Sequence, residues 1–165
     1  MQFKDYDHRH GKEIMQLTHK QEMDEIVSVL HSLPRFGHGT TKSETVKNVI
    51  ASEFKKLGWE AEVKIDLGTG KTDKCDLLKN RIAIEQEYSR FEMFFRDFFR
   101  FLLLYDKRLI DTGVIVTYDE SAFAHWGKAV PSYRSARASL GRLTDFLEGE
   151  YATVVRFPLW CVGIE

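Results

Sequence analysis

Asp76, Glu85 and Glu87 fall within the stretch CDLLKNRIAIEQE, whose oxygen donors are of the kind a hard cation takes. Two strands, Thr72 to Leu78 and Arg81 to Glu87, flank a short Lys79-Asn80 connection. A two-residue connection pairs Leu78 with Arg81, and therefore Asp76 with Ala83. Side chains alternate along a strand, so Ala83, Glu85 and Glu87 share a face. Asp76 then lies diagonally from Glu85, about 7 to 8 Å between backbones, and both side chains reach one ion. Mg²⁺ takes one or two carboxylates and keeps water and substrate phosphate in its remaining positions, which is the chemistry of phosphodiester hydrolysis. The competing reading makes Glu85 and Glu87 the solvent face of an ordinary strand. Against it, the strand runs directly into an aromatic helix and is expected to be covered, where unpaired acids are costly.

A fourth acid, Glu53, lies on a helix expected over 42–57, in the middle of the arc formed by Val46, Ile50 and Leu57. It is either a core acid paired with a basic side chain or part of the metal-site lining. Glu44 is explained by the capping-box pattern at Thr41 to Glu44. Between Trp126 and Arg142 stand four bases, Lys128, Arg134, Arg137 and Arg142, and no acid, with Ser132, Tyr133, Ser135 and Ser139 interleaved. Such a patch neutralises phosphate or reads guanine edges, unless it is only a solvated loop and helix start. His8 and His10 lack further ligands at zinc spacing, and Cys75 is expected on the face opposite Asp76, as packed core.

The elements that position these residues follow from periodicity. Met23, Ile26, Val27 and Leu30 mark a helix over 20–32 that ends near Pro34. Trp59, Ala61, Val63 and Ile65 alternate with charged residues as a half-buried strand. A long helix over 90–107, capped by Ser89, follows the hairpin. Gly113 to Thr117 reads as a buried strand, 134–147 as a helix and Leu159 to Ile164 as a last strand. The expected fold class is α/β, a central mixed sheet flanked by helices in one domain.

Composition bounds the function. The 165 residues carry 24 Lys and Arg against 25 Asp and Glu, so any polyanion site is local. The greasiest stretch, Phe94 to Leu104, is broken by Arg96, Asp97 and Arg100 and falls short of the ~20 apolar residues of a membrane span. The acidic and basic start, with Asp5, Asp7, Arg9 and Lys12, does not read as a secretory signal, and a cytoplasmic location is expected.

CDLLKNRIAIEQE resembles the PD-(D/E)XK nuclease core, in which an Asp and an acid-x-Lys sit on adjacent strands. Glu87 stands in place of the lysine, a departure shared with BamHI, while BglII and BstYI carry Gln there. The Asp76 to Glu85 interval is similar to that of the BglII/BstYI group. So are the Gly58-Trp59 step ahead of the core, the long helix after it, the Gly113 to Thr117 strand and the Pro158 to Ile164 end. The resemblance implies a restriction-endonuclease-like core and a type II restriction endonuclease that cleaves double-stranded DNA with Mg²⁺, leaving 5′-phosphate and 3′-hydroxyl ends. It implies Asp76 and Glu85 as metal ligands, Glu87 as base or water-orienting group, DNA contact by the basic segment, and a short palindromic target with GATC as candidate centre. The alternatives are a catalytically inactive DNA-binding or interaction domain and a structure-selective repair nuclease. A palindrome also implies a homodimer, for which the aromatic helix over 90–107 is the candidate interface, with Phe101 on its exposed face and Arg96 and Arg100 paired to Glu92 and Asp97 on the solvent side.

Overall fold

The computed structural model describes residues 2–34, 43–68, 70–124 and 137–165. Among these, β1 (Phe3–His8), β2 (Glu60–Asp66), β3 (Thr72–Lys79), β4 (Ile82–Gln86), β5 (Thr112–Tyr118) and β6 (Leu159–Ile164) form one sheet in the order β1-β6-β5-β4-β3-β2. β4, β5 and β6 are parallel; β1 joins β6, and β3 and β2 continue from β4, all antiparallel. The parallel strands are buried at every position, because helices cover both their faces.

Helices α1 (Gly11–Thr18), α2 (Lys20–Ser32) and α3 (Ser43–Lys56) cover one face. There Met15, Ile26, Ile50 and Phe54 pack with Leu77, Ile84, Val114 and Trp160. On the other face α4 (Met93–Asp106) and, after the short α5 (Glu120–Ala124), α6 (Leu140–Glu148) bury Phe94, Phe98, Phe101 and Leu143 against Ala83, Ile115 and Cys161. This is the mixed sheet flanked by helices that the element order implies. No helix among the described residues is long and apolar enough to cross a membrane.

Several local expectations are corrected. β1 and α1 were not foreseen: β1 is a half-polar edge strand whose place is set by pairing with β6. α1 begins at a glycine so close to β6 that a Cβ on Gly11 would lie 2.4 Å from the Leu159 backbone. α4 starts at Met93, and Ser89 does not cap it. α6 starts at Leu140 behind the cap Ser139, so Arg137 and Ala138 precede the helix, while 134–136 lie outside the described residues.

The hairpin turn is Asn80-Arg81, not Lys79-Asn80, and Leu78 pairs with Ala83. Both turn residues are left-handed, φ 44° and 69°, as a type I′ turn requires. Side-chain anchors hold these non-glycine residues there: Asn80 Nδ2 donates to Glu22 Oε1 at 2.6 Å, and Arg81 grips both oxygens of Asp111 at 2.9 and 2.6 Å. The register has slid by two residues, an even number, so the paired side chains keep their faces, and the ladder ends at Leu77–Ile84, with Asp76 and Glu85 just beyond it. Alternation breaks at Asp76, however. Cys75 packs in the α4-side core with Ala83, and Leu77 in the α3-side core. Across from this break Glu62 has φ 56°, and the β2–β3 pairing skips from Ala61–Leu77 to Val63–Cys75. Cys75 is therefore core, but on α4's side of the sheet.

Candidate functional site

β4 delivers two acids at its C-terminal end, the position at which open α/β sheets leave a crevice for ligands. Glu85 is 1 % exposed and Glu87 2 %. Asp76 reaches the same end from β3: its Oδ2 accepts the Gln86 amide at 2.9 Å and the Lys47 ammonium, from α3, at 3.2 Å. Asp76 is close enough for its charge to act on Glu85 across the hairpin. Burial pushes the Glu85 carboxyl well above the usual carboxylate range, the charges of Asp76 and Asp97 push it further, and Arg100 and Lys47 oppose them.

Beneath these acids lies a network contributed by α4. Arg100, itself buried, donates Nε and Nη2 to the two oxygens of Asp73 at 2.8 and 2.7 Å. Its Nη1 faces Glu85 Oε2 and Asp97 Oδ1, each at 3.3 Å. The bidentate pair holds Asp73 down to about 2. Asp97 is pushed up to about 7 by its burial and by the charge of Glu87. Asp97 and Arg100 thus face the sheet and not the solvent, correcting their expected place. The signal was present: Phe94, Asp97, Phe98, Phe101 and Leu104 follow the i, i+3, i+4 stripe of one buried face. Lys47, one residue past the buried Val46, had no sequence signal, because its partner lies 29 residues away.

Glu85 Oε1 is buried and has no hydrogen-bond partner among the described residues. Such an orphan at the edge of a cluster rich in acids is where a cation fits, since a buried carboxylate oxygen without a partner is otherwise costly. No group of three or more His, Cys, Asp or Glu forms a ready metal cage among the described residues. Two carboxylates match an ion that keeps water and phosphate ligands. Glu87 is set differently. Its Oε1 accepts the Ser89 amide at 2.6 Å and the Ser89 hydroxyl, and its backbone is tied to β5 through Val116 and Thr117. This is what Ser89 does instead of capping α4.

The remaining expected residues are not brought into this cluster by any described contact. Glu53 is half-buried and accepts from Lys56 at 2.7 Å. Arg142 places its guanidinium 4.5 Å from the Phe91 ring centroid and donates to the Arg137 carbonyl at 3.4 Å, so the two arginines are joined at the start of α6. Lys128, Ser132 and Arg134 lie outside the described residues.

Among solved structures, that of the restriction endonuclease BglII complexed with a DNA 16-mer matches at a TM-score of 0.80, with 16% identity, over 100% of this chain and 78% of that one. The free BglII crystal structure matches at 0.73 and 16% identity, over 100% of this chain and 80% of that one. No curated protein sequence matches the chain significantly. The family model for restriction endonuclease BglII/BglIII matches residues 3–164. With a family match over nearly its whole length, on a fold shared with BglII, the chain belongs to the BglII/BglIII restriction endonuclease family and is a type II site-specific deoxyribonuclease.

Proposed function

We propose that the end of β4 is a Mg²⁺-dependent centre that hydrolyses phosphodiester bonds in double-stranded DNA, leaving 5′-phosphate and 3′-hydroxyl ends. The orphaned Glu85 Oε1 beside Asp76 carries this reading. Asp76 and Glu85 would hold the ion, which supplies Lewis acidity at phosphorus and stabilises the departing 3′ oxygen. Glu87, fixed at one oxygen by Ser89, orients the attacking water or accepts its proton. Arg100, itself bonded to Asp97 and Asp73, keeps Glu85 in place from below. Glu53, already balanced by Lys56, stays outside the centre. The basic segment with Lys128, Ser132, Arg134, Arg137 and Arg142 is the proposed DNA-contacting stretch, and the cytoplasm the proposed place of action. The DNA 16-mer in the BglII complex supports DNA as the substrate.

The test is a mixed-sequence plasmid incubated with the protein in Mg²⁺ and in Ca²⁺, followed by sequencing of the ends. Cleavage in Mg²⁺ alone, at one repeated short sequence, is the expected result. Scattered or junction-dependent ends would point to a structure-selective nuclease, and binding without metal-dependent cutting to an inactive DNA-binding protein.

A homodimer completes the reading, because two copies of one site related by a twofold axis cut both strands of a palindrome. Phe101 cannot be the exposed contact: it is fully buried under β5, so close that a Cβ on Gly113 would lie 2.9 Å from its ring. The outward face of α4 instead shows Phe95 and, 72 % exposed, Phe99, one turn apart. Apolar surface of this kind is normally covered. Phe99→Glu is expected to convert a dimer sedimenting at micromolar concentration into monomer and to turn double-strand cuts into nicks. A wild-type monomer that makes concerted double-strand breaks would overturn the dimer and leave the metal centre standing.

A further inference from the structure

Among the described residues Arg96, Arg100 and Lys47 bring positive charge to the cluster at the end of β4, Arg96 from the outer side of Asp97 at 3.8 Å, and Arg100 and Lys47 are held in opposite ways. Arg100 is gripped by Asp73 through two hydrogen bonds and by Glu85 and Asp97 through Nη1, with its side chain 7 % exposed. Among the described residues Lys47 has one ion pair, to Asp76 Oδ2 at 3.2 Å, and its side chain is 31 % exposed. A long lysine stem with one contact and an open flank can swing, whereas a planar guanidinium with four contacts cannot. Position 87, at the end of β4, holds a glutamate tied to Ser89. An ammonium therefore reaches the centre from α3 instead of β4.

We propose, building on the cleavage centre described above, that Lys47 is the mobile cation of that centre, competing with a divalent metal for Asp76 Oδ2 and contacting the scissile phosphate once the metal has taken the carboxylate. Three observations converge on this. Asp76 Oδ2 accepts both the Gln86 amide at 2.9 Å and the Lys47 ammonium at 3.2 Å, so a metal ion that takes this oxygen meets the ammonium there. The acids outnumber the cations there, so Lys47 displaced from Asp76 remains beside an anionic centre that a phosphodiester makes more anionic still, and a positive charge aimed at transferring phosphate oxygens is the group such a reaction rewards. Finally, α3 anchors the lysine's base firmly through Val46 and Ile50, both fully buried, so only the side chain has to move.

Two measurements on the full chain test this, using Lys47→Met and the charge-preserving Lys47→Arg, with thermal unfolding to show that both fold. In calorimetric titration of the DNA-free protein with Ca²⁺ alone, Lys47→Met is expected to bind about fivefold more tightly than wild type, because the competing ion pair is gone. In single-turnover cleavage at saturating Mg²⁺ and DNA, Lys47→Met is expected to be about 100-fold slower, with Lys47→Arg recovering part of the loss. A lysine that served only to support Asp76 would show the reverse: weaker Ca²⁺ binding, and a cleavage defect repaired by more Mg²⁺. Unchanged or weaker Ca²⁺ binding in Lys47→Met, or saturated cleavage within twofold of wild type, overturns the proposal. The Ca²⁺ titration needs no cleavage, so tighter binding in Lys47→Met beside a wild type that cuts no DNA would remove the proposed function and uphold the competition.

Discussion

Asp76→Asn and Glu85→Gln are each expected to slow Mg²⁺-dependent cleavage of duplex DNA by about 100- to 1000-fold, the loss typical of deleting one charged group that stabilises a transition state. Folding should survive both changes. Asp76 accepts a backbone amide and a lysine, and Asn keeps an acceptor for each. Glu85 is the more telling case. It is almost fully buried, and its charged form is opposed by burial and by two neighbouring acids, so a neutral side chain of the same shape removes that penalty. Near neutral pH, Glu85→Gln should therefore melt at or above the wild-type temperature while losing activity. An inactive variant that is no less stable than the parent is the signature of an acid kept for chemistry and not for packing. Single-turnover cleavage with denaturant melts checks it; wild-type cleavage in either variant removes that residue from the centre.

Arg100→Met is expected to cost about 3 to 5 kcal/mol of stability, the usual result of removing one member of a buried charge network and leaving the others uncompensated. The loss depends on pH, and its sign can be worked out. Asp97 is raised to about 7, so between the ordinary carboxylate value and about pH 7 the folded state holds a proton that the unfolded chain has released. Stability from this group falls as pH rises through that window, and without Arg100 to oppose the burial it falls further and over a wider range. Asp73 works the other way. Held down to about 2 by Arg100, it contributes stability above the ordinary carboxylate value that is lost as pH falls toward 2, and the variant forfeits it. The deficit of Arg100→Met should accordingly be larger at pH 8 than at pH 5. Urea unfolding at both values measures it, and a deficit below about 1 kcal/mol, or one independent of pH, would show that Arg100 is not the keystone of the cluster.

What could be read from the chain alone is what depends on neighbours a few residues apart. The helices at Met23 to Leu30 and Val46 to Phe54, the alternating strand before Gly68, and the continuous apolar run Gly113 to Thr117 all follow from local periods of 3.6 or 2, or from their absence. The acids of the hairpin were legible for the same reason, and the placement of Glu85 survived a wrong turn because a register error of two residues leaves every side chain on its face. Three things needed the tertiary structure. β1 pairs with β6, more than 150 residues away along the chain, and its half-polar pattern gains meaning only at a sheet edge. The inward turn of Asp97 and Arg100 required knowing that their partners Asp73 and Glu85 lie beneath α4. Lys47 meets Asp76 only because α3 packs across β3, which itself breaks alternation at that residue. Local periodicity decides which face a side chain occupies, but a buried charge is placed by whichever opposite charge the fold brings to it, and that choice is made by sheet order and helix packing.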